Sequence, residues 1–251
     1  MNARGKWQGM WTIVSFNWPL YLVAVVTFII SSGIFIFQSE ILIRTLSGFT
    51  LGGSFYFLVG SLSVSHLVYD CSDLYRLRWL ARALEGAGRG HMIFCHSGFD
   101  ESSVDLFDRL TPQRWTVLDH YDPVQMTEAS IQRARRKFPP TDPTIPAPFE
   151  YWPVTSGFTD VVFGILAIHE LRSESERTIW FNEARRCLAS GGRVVLVEHI
   201  RDLANFIAFG PGFLHFHSAS SWRRCWEDAH FKLKEEFKIT PWVSVFILTL
   251  E

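Results

Sequence analysis

Histidines stand beside carboxylates at three points after residue 100: Asp119-His120, His169-Glu170 and Glu198-His199. An imidazole titrates near neutral pH, and an adjacent carboxylate can orient it or share its proton, which is the equipment of general base catalysis. His169 and His199 are the candidate bases, with Glu170 or Glu198 to orient or assist. Arg172, three residues after His169, either pairs with an acidic acceptor or caps local carboxylates. The same residues allow a second chemistry. Imidazole with carboxylate is a common divalent metal set, and His96, His120, His169, His199, His215 and His217 all belong near one cleft. Their spacing does not fix a ligand set, so no metal is assigned from the sequence. The four cysteines, Cys71, Cys95, Cys187 and Cys225, contain no CxxC pair. That excludes a zinc ribbon and a dithiol redox site and suits reduced, cytoplasmic thiols.

These residues matter because of the elements that precede them. Apolar runs at Met92–Cys95, Trp115–Leu118, Asp160–Ile168 and Arg193–Val197 read as buried strands. Helical periodicity spans Glu101–Leu110 and Thr127–Phe138. Another helix opens at the capping box Ser173–Glu176, carries Arg185 and Arg186 in its last turn, and stops at Gly191-Gly192. A Pro-rich passage from Pro139 to Pro153 reads as a loop. A helix near Trp222–Ala229 and strands at Phe231–Ile239 and Trp242–Leu250 close the chain. Strands alternating with helices imply a mostly parallel sheet covered on both faces. Ligands of such sheets bind beyond the carboxyl ends of the strands. That rule selects His96, Ser97 and Gly98, then Asp119 and His120, then His169 and Glu170, then Glu198 and His199.

A glycine turn after one strand and an acid ending the next suit a ribonucleotide, and Gly98 lies 21 residues before Asp119. Four passages extend this pair: Ser97-Gly98-Phe99-Asp100, Trp115-Thr116-Val117-Leu118-Asp119, Thr159-Asp160-Val161-Val162-Phe163, and the run from Cys187 through Gly191-Gly192 to Glu198. On these passages the stretch from Met92 to Glu251 resembles class I S-adenosylmethionine-dependent methyltransferases. The resemblance implies a Rossmann-like α/β fold, with seven strands, helices on both faces and the last strand antiparallel. It implies S-adenosylmethionine as cofactor. His96, Ser97, Gly98, Phe99 and Asp100 would surround the methionine moiety. Asp119 would hold the ribose, and His120, Tyr121 and Trp152 or Val154 would flank the adenine. Leu166 and Ala167 would pass under the sulfonium. The first glycine motif departs from the family's acidic residue and G-x-G-x-G: Phe94, His96 and Asp100 stand at the acidic, first-glycine and third-glycine positions. Ser190 replaces the proline of the turn before the fifth strand.

The N-terminal third has another character. Gln8 to Ser39 contains no charged residue, and Trp18 to Phe37 is nearly all apolar, long enough to cross a bilayer. A second uncharged stretch, Thr45 to Tyr69, carries Gly48, Gly52, Gly53 and Gly60, small residues that let membrane helices pack closely. The short link Gln38–Arg44 makes the two a hairpin. The first run is too long for a signal peptide and no cleavage site follows it. Arg4 and Lys6 before the hairpin and Arg76, Arg78 and Arg82 after it put both ends, and the catalytic domain, on the cytoplasmic side. Tyr69–Glu85 reads as a charged helix along the membrane or under the domain. The glycines 86, 88 and 90 mark a boundary, so residues 1–69 are the hairpin, 70–89 the juxtamembrane linker and 90–251 the methyltransferase-like domain. A net charge of −1 gives no electrostatic case for nucleic acid. The apolar segment Phe206–Phe216, with Phe213 and His215, is placed as a substrate wall, and Arg172 and Glu198 join it at the acceptor. The expectation is methyl transfer to a hydrophobic, membrane-associated small molecule. The alternatives are an inactive methyltransferase-like scaffold at the membrane and a His/Glu metal enzyme.

Overall fold

Buried β-branched and aromatic runs find their partners in one sheet. β1 (His91–His96) is buried at every position and sits between β2 (Arg114–Asp119) and β4 (Thr159–Ile165), parallel to both. The computed structural model describes residues 5–140 and 143–251, so Arg4 and two residues of the Pro-rich passage lie outside it. The seven strands run in the order β3-β2-β1-β4-β5-β7-β6, with β3 at Thr144–Pro146, β5 at Leu188–His199, β6 at Phe231–Thr240 and β7 at Val243–Leu250. β7 is antiparallel to both of its neighbours, as the resemblance implied.

Strand alternation divides the core. Ile93 and Cys95 of β1 face a layer made by α5 (Ala129–Lys137), α6 (Glu174–Cys187) and α8 (Ala219–Asp228), where Trp180, Trp222 and Trp226 are buried. Each such indole removes 150–250 Å² from water, about 4–6 kcal/mol as an upper estimate. Met92 and Phe94 face the other way, against α3 (Leu80–Ala83) and α4 (Ser103–Leu110). The capping box of α6 forms as expected: Ser173 Oγ accepts from Glu176 N, and the Glu176 carboxylate accepts from Ser173 N.

Four expectations change. The segment Tyr69–Glu85 is not one helix. A single π-helical turn, Leu67–Cys71, ends the second hairpin helix, and regular α-helix returns only at α3. Leu74, Leu77, Trp79, Leu80 and Leu84 are all buried on the sheet, too many positions for one helical stripe, and Leu77 takes a φ of 58° to let them turn inward. The chain therefore enters the domain core well before the glycines at 86–90. The Pro-rich loop holds β3, which pairs with β2. The helix opened by the Ser173–Glu176 box ends at Cys187 rather than at Gly191-Gly192, and both glycines lie inside β5, whose strand geometry already starts at Leu188. After β5 the apolar segment forms α7 (Leu203–Phe209) and a 3₁₀ turn, Gly210–His215.

The hairpin consists of α1 (Gln8–Phe37) and α2 (Ile41–His66). Both are long and apolar enough to cross a membrane. Pro19 sits inside α1, and Asn17 leaves helical geometry (φ −117°, ψ 21°). A ring and a missing N–H kink the helix there. The first part lies on the domain, anchored where the Asp70 carboxylate accepts from Gly9 N at 2.6 Å and Met10 N at 3.1 Å. The second part runs outward and exposes Leu20, Val23, Ile29, Ile30 and Ile36. From Trp18 to Phe37 it extends about 30 Å at ~1.5 Å per residue.

Candidate functional site

Strand order reverses between β1 and β4, and the crevice of such a sheet opens there, beyond the strand ends. The register pairs His96 with Asp119, so the turn after β1 meets the acid that ends β2. Gly98 has φ 94°, and a Cβ on it would stand 2.8 Å from Tyr121 Cδ2. Only glycine lets the turn lie this close to that ring. Gly98 N donates to Asp119 Oδ1 at 3.0 Å, Tyr121 N donates to the same oxygen at 3.1 Å, and the Arg135 guanidinium donates to Oδ2 at 2.5 Å. Arg135 also lies over the Tyr121 ring at 4.4 Å. Asp119 is thus buried and fully engaged within the protein. His96 Nδ1 accepts from Gly98 N at 3.3 Å, which leaves the N–H at Nε2 buried without a partner. The Ser97 hydroxyl is likewise buried and unpartnered. Burial pushes the His96 imidazole below its ordinary pKa, with Asp119 opposing.

A second cluster forms at the ends of β4 and β5. The 3₁₀ turn Ile168–Glu170 is held by Glu198, which is fully buried: Oε1 accepts from Ile168 N (3.0 Å) and His169 N (3.2 Å), and Oε2 faces His169 Nδ1 at 2.7 Å. Nδ1 is the ring nitrogen turned to the carboxylate, so the hydrogen bond places the His169 proton there and leaves Nε2 facing outward. Nε2 stands 3.8 Å from Glu170 Oε1, and His215 Nε2 stands 3.6 Å from the same oxygen. His215 Nδ1 faces Glu128 at 3.2 Å. Burial alone would lower the pKa of His215, but the Glu128 and Glu170 carboxylates raise it to about 9. Burial would raise Glu170, yet His215 and His169 hold it below the usual carboxylate range.

Other expected site residues have different duties. His120 faces Ala147 O through Nδ1 (2.9 Å) and accepts from Trp180 Nε1 (3.1 Å), and it stacks on Trp152, which is also fully buried. Burial drives its pKa to about 4, so His120 and Trp152 are neutral core rather than an open adenine wall. His199 spends both nitrogens: Nδ1 on Trp242 O and Asn205, Nε2 on the Tyr69 hydroxyl. Burial holds it at about 4. It borders the cavity without offering a free lone pair. Arg172 donates to the carbonyls of His169 (3.1 Å) and His215 (2.6 Å), a clamp between two backbone turns rather than a hand held out to an acceptor. His217 faces Arg177 and is held at about 3 by burial and that charge. Phe213 packs on Phe206.

A cavity of about 750 Å³ gathers much of the rest. Ser97, Phe99, Leu166 and Ala167 line its sheet end, and His169, Glu170 and His215 line one wall with Glu128. The opposite wall is the hairpin, through Leu20, Tyr21, Val23, Ala24 and Phe57. Phe16 of α1 reaches the strand ends and packs edge-on against Phe99 at 5.1 Å. A smaller hollow of about 270 Å³ holds His96, Gly98 and Asp100 against Lys137, Phe138 and Pro139. Glu128 and Arg135 escaped the sequence reading. Both sit on or beside α5 as ordinary helix charges, and nothing in their spacing shows that α5 leans over the crevice.

No protein-family model matches this chain, and no curated protein matches it by sequence. Solved structures do match. An S-adenosylmethionine-dependent methyltransferase from Leishmania major is 14% identical, covers 77% of this chain and 80% of its own, with a TM-score of 0.50. One from Aquifex aeolicus is 13% identical over 71% and 94% of the two chains, again at 0.50. One from Clostridium acetobutylicum is 6% identical over 71% and 92%, also at 0.50. At such identities the likeness concerns fold: this chain has the fold of class I methyltransferases.

Proposed function

We propose that this protein is a membrane-anchored methyltransferase that uses S-adenosylmethionine to methylate an apolar small molecule with a polar reactive head. One observation carries the reading: a single cavity runs from the polar cluster at the strand ends to the apolar wall of a hairpin long enough to span a bilayer. An acceptor lying in lipid can slide its tail along Leu20, Val23 and Phe57 and bring its head to His169. Anchoring raises the effective concentration of such an acceptor. Lys6, Arg76, Arg78 and Arg82 on the domain side of the hairpin support a cytoplasmic domain.

The residues at the crevice fit the cofactor in part. His96 Nε2–H and Ser97 Oγ are buried polar groups without partners where the methionine tail belongs, and an amino-acid head group would satisfy them. Phe99, Leu166 and Ala167 offer apolar contact on the cavity floor. Asp119 can receive a ribose only if Arg135 gives way. Bound S-adenosylmethionine supplies an electrophilic methyl group. The chain's own work is alignment and proton removal. His169 Nε2, oriented by Glu198, takes the proton of a hydroxyl or ammonium acceptor, Glu170 steadies the charge, and the hairpin wall keeps water out.

The pairing of Asp119 with Arg135 favours a second reading, a methyltransferase-fold scaffold that no longer binds cofactor. Calorimetry on the detergent-solubilised chain with S-adenosylmethionine and S-adenosylhomocysteine separates the two. The enzyme reading expects binding by the parent, tighter binding by Arg135→Ala, and loss in Asp119→Ala. No heat from either ligand with folded parent and folded Arg135→Ala sinks it.

A further inference from the structure

We propose that His169, Glu170 and His215 bind one divalent first-row transition ion, of which Zn²⁺ is the type, on the wall of the large cavity. The two Nε2 atoms lie 3.8 and 3.6 Å from Glu170 Oε1, and the three ligand atoms all fall within 4.8 Å of one another. A tetrahedral ion with bonds of ~2.0–2.1 Å holds its ligands about 3.4 Å apart. A shift of a few tenths of an ångström in Glu170 meets two of those edges.

The surroundings are built for the same end. Each imidazole turns Nδ1 toward a carboxylate of its own, Glu198 at 2.7 Å for His169 and Glu128 at 3.2 Å for His215. A metal-bound histidine needs such a partner, which fixes the tautomer and aims Nε2 at the ion, and the ion takes the place of the proton on His215 Nε2, which is released to solvent. Two imidazoles from different turns show the same arrangement and converge on one carboxylate. Arg172 ties the backbones of both turns together through the carbonyls of His169 and His215.

Two histidines and one carboxylate select zinc, manganese or iron over magnesium and calcium, which prefer all-oxygen sets. Three protein ligands leave open positions, and His169, Glu170 and His215 all line the large cavity. An oxygen of the acceptor can fill one of them. That role rests on the methyl-transfer reading, in which the ion takes over from the His169 lone pair in acidifying the acceptor. The binding itself does not rest on it.

The experiment uses the full chain in detergent, stripped with EDTA, on a Cys71→Ser background so that the exposed thiol takes no ion. Calorimetry with ZnCl₂ is expected to show one ion per chain, with MgCl₂ at least 100-fold weaker. His169→Ala with His215→Ala lowers Zn²⁺ affinity at least 100-fold, and Glu198→Gln about 10-fold. Should the double variant fail to fold, Co²⁺ added to the stripped parent gives the visible bands of a low-coordinate nitrogen–oxygen site. Less than about 0.2 equivalents of Zn²⁺ on the parent, parental affinity in the folded double variant, or a Co²⁺ spectrum like that of the free ion overturns the site. S-adenosylmethionine titrated into the same samples keeps the two proposals apart: cofactor heat without zinc binding defeats only the metal, and zinc binding without cofactor heat defeats only the transferase.

Discussion

Glu198→Gln tests the centre of the site with almost no change of shape. Glu198 is fully buried and accepts three hydrogen bonds, two from the backbone of Ile168 and His169 and one from His169 Nδ1 at 2.7 Å. A glutamine can keep its oxygen on the two backbone N–H groups. Its amide then points an N–H at Nδ1, which must accept, so the His169 proton moves to Nε2. Each bond to a charged acceptor contributes about 1.5–3 kcal/mol against ~1 for a neutral one, and removal of a buried charge offsets part of the difference. The net loss of stability is about 1–3 kcal/mol, which a chain of this size survives. The functional loss is larger, because Nε2 no longer has a lone pair. Amidation of an orienting carboxylate behind a catalytic histidine costs up to about 10⁴ in turnover through the wrong tautomer. Histidine-labelled ¹⁵N spectra of the solubilised chain read the tautomer directly. The parent should show His169 protonated at Nδ1 and the variant at Nε2, with far-ultraviolet circular dichroism unchanged. The same Nδ1–H form in both proteins would refute the reasoning, since the carboxylate would then not be what orients the ring.

Gly98→Ala should destabilise the chain by about 2–4 kcal/mol, summing the left-handed φ of 94° and the 2.8 Å approach to Tyr121, and a further Tyr121→Ala change should recover only the contact share. Urea unfolding measures both, and a Gly98→Ala variant as stable as the parent contradicts the turn as described. His120, held at about 4 in the fold against ~6.5 unfolded, contributes stability that is full above pH 6.5 and lost as pH falls through 4. The gap amounts to about 3 kcal/mol, so the urea midpoint of His120→Gln should fall less between pH 7 and 4.5 than the parent's; parallel curves reject this. Asp70→Ala removes the acceptor for Gly9 and Met10 N–H, a cost of about 1–2 kcal/mol, and should speed hydrogen exchange at those two amides while β1 stays protected. Equal exchange in parent and variant there counts against the anchor.

The sheet could be read in the chain itself because burial on both faces leaves continuous apolar runs, and because the Ser173–Glu176 box marks where the helix between two of them begins. So could the hairpin, whose apolar length has no use in a small core. The crevice followed from connectivity: once β1, β2, β4 and β5 are parallel neighbours, His96, Asp119, His169 and Glu198 must gather at one edge. What each of them does there was decided only by tertiary packing. His120 and His199 carry the same local signal as His169, yet Trp180 and Ala147 enclose one, and Tyr69 and Trp242 enclose the other, while His169 keeps a lone pair in the cavity. Arg135 reaches back to Asp119 and Glu128 reaches across to His215, both from an α5 region that looks like any solvated helix in sequence. Periodicity reports which side of an element is apolar. It cannot report which charges on the other side another element will bring within 4 Å, and that distance decides whether a histidine is packing, base or ligand.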